Sequence, residues 1–327
     1  MTTQEYIESR IKNLKTVPDA LLDSKLSTEE QIRAKLMSKK FRKLKATLAC
    51  ESGVERAIKN AVKNNEPLVI SFLFGGNKLW RLDEAPEIDW AELFSLFYYV
   101  DWLKTVTAVH MPGVVLDYYS QDISVETMNN VPRSETDKYS EGFRKMIEWV
   151  SPYLPAGVTV TYRRHFEEFK NPDDYYQELE LGKQEILKEN NGQLPKLSDE
   201  MGAATELNVK LKPDQDKDPE WREKVELEHQ AIFRTKTLSD KYLNDQSIVF
   251  ACPTNYEGAV EIITGSTKRS YAKFWAAAGA LEATGDTFHE LVLTPKQLQA
   301  AKFEWQDISI EGLEGKNFIK IRIISKS

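Results

Sequence analysis

The sequence predicts an α/β fold whose sheet is at least partly parallel. Three observations carry that expectation. An apolar run, Leu68 to Phe74, is β-branched and aromatic and stops at Gly75-Gly76, as a buried strand does. A capped helix follows it. After a second helix comes the β-branched, alternating stretch Val158 to Tyr162. Strand, helix, strand, helix, strand is the order that crossover connections between parallel strands produce.

Residues 1–66 read as an N-terminal helical segment. SKLSTEEQIRAKL starts a helix at Ser27 or Thr28, with acids in its first turn. It runs into KKFRKLKATLA, where Lys39, Lys40, Arg42, Lys43 and Lys45 cluster. Such a cluster is either an anion- or RNA-facing patch or a solvated helix face. Glu51 to Asn64 reads as a further helix with a break at Ser52-Gly53, and Val54, Ile58, Ala61 and Val62 share one face.

Residues 67–170 form the first part of the α/β core. The loop after the first strand carries Asn77, Lys78 and Arg81. Asp89 is an N-cap residue and Glu92 sits three positions on, where a capping box places its acid. Leu93, Leu96, Phe97, Val100 and Leu103 then keep helical spacing along one core face. Val106 to His110 and Val114 to Tyr119 read as extended, hinged at Pro112-Gly113. Ser134 and Asp137 match the capping pattern of another helix, with Tyr139, Phe143, Met146, Ile147 and Val150 inward. Pro152 and Pro155-Ala156-Gly157 end it, and the strand from Val158 delivers Arg163, Arg164 and His165 to its own end.

Residues 171–245 turn polar and read as a charged helical insertion or a lid. Tyr175 to Asn190 is helical, Gln193 to Asp218 is a Pro-, Asp- and Lys-rich excursion, and Pro219 stands at a first helical position. Residues 246–327 return to the α/β core. Ser247 to Ala251, Ala259 to Thr264 and Phe318 to Ile324 read as strands, Tyr271 to Leu281 as a helix, and Thr294-Pro295 as the start of a short one.

The totals narrow the function. With 327 residues, 41% of them hydrophobic and 29% charged, the chain can bury a large core. A net charge of −7 argues against a general nucleic-acid binder. No apolar run approaches the roughly 20 residues that span a bilayer. MTTQEYIESRIKN lacks an apolar signal region, so a cytoplasmic location is expected. Cys50 and Cys252 give neither a disulfide framework nor zinc spacing, and the four histidines form no HExxH or HxH pattern. No metal and no cofactor is expected.

Two loops have the composition of an anion site. Gly75 and Gly76 expose backbone N–H groups beside Asn77, Lys78 and Arg81, although neither GxxxxGK[ST] nor GxGxxG is present. Gly265-Ser266-Thr267-Lys268-Arg269-Ser270 follows a strand and offers hydroxyls and two cations, or simply caps a helix. Arg163 and Arg164 stand at a strand end, where α/β proteins hold their ligands. Among the acids, Glu92 and Asp122 are the candidates for moving a proton.

These residues, in this order, resemble the isocyanide (isonitrile) synthases, the family of the spore-wall dityrosine and pyoverdine/paerucumarin enzymes. The resemblance covers about residues 55–150. It rests on Pro67 before the apolar strand, the loop at Lys78, Pro86-Glu87, Glu92 opening a Leu-rich helix, Pro112-Gly113, the strand end Ser120 to Asp122, and Tyr139. The family's FPxK is replaced here by LFGGNK, and its Ser-Asp-Gly by Ser-Gln-Asp. The resemblance implies a Rossmann-like fold. It also implies a small-molecule biosynthetic enzyme of the transferase or lyase type, which condenses an amino acid's amine with a pentulose phosphate whose C2 becomes the isonitrile carbon. In that reading Glu92, Asp122 and Lys78 are catalytic. Lys78, Arg81, Arg163, Arg164, Lys268 and Arg269 bind the substrate and its phosphate. The rival reading is a non-catalytic binding module that holds RNA or a protein through the basic helix at 33–45.

Overall fold

A computed structural model describes residues 1–17, 25–37, 48–83, 87–194, 219–234, 247–250, 261–262, 274–313 and 315–325. Its first sheet has five strands: β1 (Leu68–Phe74), β2 (Val114–Ser120), β3 (Val158–Arg164), β4 (Ser247–Phe250) and β5 (Glu261–Ile262). They lie in the order β3-β2-β1-β4-β5, and each neighbouring pair is parallel. This is the Rossmann-like arrangement, whose strand order reverses between β1 and β4. In register, Phe74 of β1 faces Ser120 of β2, which faces Arg164 of β3. The carboxyl ends of the three strands therefore finish level. β1 is a nearly continuous apolar run because both faces of the sheet are covered there, whereas the edge strand β3 alternates buried and exposed residues.

Before β1 come α1 (Thr3–Lys12), α2 (Thr28–Leu36) and α3 (Leu48–Asn64). The third runs unbroken through Ser52-Gly53, where the sequence suggested a break. The one-turn α4 (Lys78–Arg81) follows β1, and α5 (Trp90–Thr107) leads to β2. Between β2 and β3 stand α6 (Asp122–Asn129) and α7 (Arg133–Val150). Two features of the 67–170 reading are corrected. Residues 106–110, read as extended, are the last turn of α5 and the turn that follows it, since burial of Val106 outweighs the β preference of its neighbours. And α7 starts at Arg133 after Pro132, so Ser134 and Asp137 do not cap it.

A second sheet contains β6 (Ala278–Thr284), β7 (Thr287–Leu293), β8 (Glu304–Asp307) and β9 (Lys320–Ile324), in the order β7-β6-β9-β8. The β6–β7 and β8–β9 pairs are antiparallel and β6–β9 is parallel. The helix expected over 271–281 is thus corrected: residues 274–276 make a short 3-10 turn and 278–284 are strand.

The second sheet explains α5. The helix packs against β2 and β3 on one side and β6 and β7 on the other. Trp90, Leu93, Phe94, Leu96, Phe97, Tyr99, Val100 and Trp102 are all buried, so burial extends well beyond the core face read from the sequence. A helix between two sheets keeps little solvent face: Tyr98, Asp101, Thr105 and Thr107 are partly exposed. α1 ties the two layers together. Arg10 reaches Asp101 of α5 at 2.6 Å and Glu290 of β7 at 2.8 Å.

In the 171–245 region, α8 (Pro172–Glu189) and α9 (Pro219–Arg234) pack on one another and α9 packs on α6. Ile123, Tyr175, Leu179, Ile186, Leu227, Ala231 and Ile232 form a second, smaller core there. The excursion at 193–218 lies outside the described residues from 195 onward, as do the basic positions 39–45 and the loop holding Lys268 and Arg269. Pro295 opens α10 (Pro295–Ala300), as its Thr294 cap predicts. Among the described residues no helix is long and apolar enough to cross a membrane.

Candidate active site

At the end of β1 the chain turns through Gly75-Gly76-Asn77 and starts α4 with Lys78. That places Lys78 beside the amino end of α5, and its side chain is fully buried. Its ammonium donates to Asp89 Oδ1 at 3.0 Å and to Glu92 Oε2 at 2.8 Å. The capping box predicted at Asp89 and Glu92 is present: Glu92 Oε2 accepts from the Asp89 backbone N–H at 2.8 Å, and Asp89 Oδ1 from Ala91 N–H at 2.8 Å. The other oxygen of Glu92 accepts from the Tyr139 hydroxyl of α7 at 2.9 Å. Lys78, Glu92 and Tyr139 therefore form one buried hydrogen-bonded chain.

Asp89 has a second task that the capping signal conceals. Its Oδ2 accepts from the Gly279 N–H of β6 at 3.2 Å and lies 3.5 Å from the Arg322 guanidinium of β9. Arg322 is a cation inside the apolar run KIRII, and that oddity was the legible sign of a buried partner. The cluster balances two cations against two carboxylates, which is what makes burial tolerable. Burial still pushes the Glu92 carboxyl up to about 7, with Lys78 opposing and Asp89 adding to the rise. Burial alone would depress the Lys78 ammonium, but Asp89 and Glu92 outweigh it and hold it above its ordinary value.

A second cluster joins the carboxyl ends of β2 and β3 to α6 and α7. Arg164 donates to Asp122 Oδ2 at 2.5 Å, to Asp137 Oδ1 at 2.5 Å and to the Thr136 hydroxyl at 3.2 Å. Its guanidinium also lies over the Phe166 ring. Asp122 accepts from the Ser140 hydroxyl at 3.3 Å, and Ser140 accepts from the Tyr162 hydroxyl at 2.7 Å. Tyr139 and Ser140 are consecutive on α7, so that helix carries one hydroxyl to each cluster.

Burial pushes the Asp122 carboxyl up to about 6; Arg164 opposes this and Glu126 reinforces it. The folded state therefore holds this proton where the unfolded chain, at its ordinary 3.8, has released it. The group favours folding most below pH about 4, and that contribution, on the order of 3 kcal/mol, is lost as pH rises through about 6. Asp122→Asn is expected to flatten this part of the stability–pH curve, checked by urea denaturation midpoints between pH 4 and pH 7.

The remaining candidates fall into two groups. Arg163 makes a fork with Asp117, at 2.7 Å and 3.1 Å, and reaches Glu168 at 2.8 Å. It lies on the Tyr119 side of the sheet, away from α7. Arg81 differs from all of these. It is half-buried against the Trp80 ring at 4.6 Å, burial lowers its basicity, and among the described residues it has no carboxylate partner.

The chain was compared with known proteins. No family model and no curated protein matches it. A search of solved structures does find similarity. In fold, the chain is similar to PvcA. The crystal structure of the PvcA protein from Pseudomonas aeruginosa superposes with a TM-score of 0.62, covering 91% of this chain and 100% of PvcA, at 14% sequence identity. At that identity the likeness to PvcA concerns the fold. It extends well beyond the segment 55–150 that carried the resemblance in the sequence.

Proposed function

We propose that this protein is a small-molecule biosynthetic enzyme of the isonitrile synthase type, condensing the amine of an amino acid with a pentulose phosphate. The reading starts from the resemblance of residues 55–150 to the isonitrile synthases, and the fold likeness to PvcA supports it. The observation that carries the reading is the Lys78–Glu92–Tyr139 chain. These residues stand 14 and 47 positions apart and were singled out by the sequence resemblance; they meet in one buried network. The network lies by the end of β1, beside the strand-order reversal where open α/β sheets hold ligands.

An ammonium must lose a proton before its nitrogen attacks a ketone carbon. Glu92, held near neutrality by burial, is suited to take it. Lys78 and Tyr139 fix the carboxylate's position and tune its affinity for the proton. Asp122, held by Arg164 and Ser140, is the second acid in reach of α7 and handles the later proton transfers. The phosphate falls to Arg81, a half-buried cation with no carboxylate partner among the described residues, with Lys268 and Arg269 assigned the same role from the sequence. Arg163 and Arg164 already hold carboxylates. Their part is to fix Asp117 and Asp122, and either would bind phosphate only by giving up an acid.

The test is to incubate the purified protein with a panel of amino acids and ribulose 5-phosphate and to follow products by mass spectrometry. The expected product has gained one carbon and lost its amine. Glu92→Gln is expected to reduce its formation by about 10²-fold or more. Absence of conversion for every amino acid would refute the reaction, while the fold would stand.

A further inference from the structure

Buried hydroxyl and carboxylate oxygens are almost always hydrogen-bonded, because leaving one unpaired costs on the order of 1–3 kcal/mol. The end of β2 departs from that rule. The Tyr118 hydroxyl and Asp122 Oδ1 are buried and have no hydrogen-bond partner among the described residues. Ser120, between them, turns its hydroxyl toward Tyr162 without a hydrogen bond of normal geometry. Alternate residues of a strand share a face. Contacts with α7 show which face this is: Tyr118 meets the Phe143 ring at 5.1 Å, and Asp122 meets Ser140. It is the face on which Tyr139 reaches Glu92.

Packing does not explain the Tyr118 hydroxyl. Its ring is surrounded by Phe72, Phe74, Phe143 and Phe274, so phenylalanine would fill the same space without an orphaned oxygen. Glu92 is close enough to oppose ionisation of the phenol. A hydroxyl kept at a cost, near Glu92 and on the face that Asp122 shares, has a use outside the free protein's own hydrogen bonds.

We infer that Tyr118 is a further catalytic residue, whose hydroxyl donates to an oxygen of the bound substrate while Asp122 Oδ1 accepts from a hydroxyl or amine on the same molecule. The matching ligand chemistry is a chain bearing groups that both donate and accept. The inference rests on the reaction proposed above for the reacting partner, and its test separates the two.

Tyr118→Phe and Asp122→Asn are compared with the unchanged protein in three measurements: the urea midpoint, ribulose 5-phosphate binding by calorimetry, and turnover. For Tyr118→Phe the midpoint is expected to stay level or rise, with binding weakened at least 10-fold and turnover down about 10²-fold. Asp122→Asn is expected to weaken binding as well. If the unchanged protein binds the sugar phosphate but converts no amino acid, and Tyr118→Phe weakens binding, the site stands and the reaction falls. A lower midpoint with binding unchanged would mean that the hydroxyl serves only an ordered water and would overturn the inference. Binding equal in both, or absent from the unchanged protein, would overturn it too.

Discussion

Lys78→Met is expected to destabilise the protein by about 3–5 kcal/mol, the range for removing one partner of a buried ion pair. The methionine fills much the same volume, so the loss comes from charge. Without the ammonium, Asp89 keeps Arg322, whereas Glu92 keeps only the Asp89 N–H and the Tyr139 hydroxyl. Burial has already raised Glu92 to about 7 with Lys78 present, and loss of Lys78 raises it further. The variant therefore holds Glu92 protonated at neutral pH. Its deficit should be smaller at pH 5, where that proton is taken up readily, and should grow toward pH 8. Adding Glu92→Gln should restore part of the loss, because the side chain is then buried without first having to take up a proton. Urea denaturation of the single and double variants at both pH values checks this. A single variant as stable as the unchanged protein would contradict the network.

Gly279→Ala is expected to cost more than the roughly 1–3 kcal/mol of ordinary overpacking. A Cβ there would stand 2.5 Å from the Ala91 nitrogen and 2.5 Å from the carbonyl carbon and Cβ of Trp90. Two of those atoms are backbone at the amino end of a buried helix, so neither side can yield without separating β6 from α5. The Gly279 N–H would also leave Asp89 Oδ2, which ties the Lys78–Glu92 cluster to the second sheet. Gly285→Ala is the contrast. Gly285 has φ +60° and nothing within 4 Å of a Cβ, so its cost should be the backbone term alone, about 1–2 kcal/mol. The two denaturation midpoints should separate clearly. Equal small losses would show that β6 does not press on α5.

The same contact explains where the sequence misled. YAKFWAAAGAL is rich in helix-forming alanine and was read as a helix over 271–281. Residues 278–280, Ala-Gly-Ala, are small because β6 lies almost on the backbone of α5, and composition cannot distinguish close approach from helix propensity. The hairpin left a signal that this reading passed over: Gly285-Asp286 joins β6 to β7 with positive φ at the glycine, a known two-residue turn signal. The parallel strands were legible from two patterns: β1 is a continuous apolar run, and β3, at the sheet edge, alternates β-branched residues. In the candidate site the residue types were readable and their pairing was not. Asp137, read as a helix cap, instead holds Arg164. Arg163 and Arg164 looked equivalent at a strand end, yet adjacent strand residues face opposite ways, and Arg164 alone joins the α7 side.

The central claim is that this fold builds an isonitrile from an amine and C2 of a pentulose phosphate. It is tested most directly by supplying ribulose 5-phosphate labelled with ¹³C at C2 to the protein and the amino-acid panel, then locating the label by NMR. The account predicts the label in the isonitrile carbon of the product, with formation lost in Glu92→Gln. An isonitrile without the label, or labelled product formed equally well by Glu92→Gln, would contradict it.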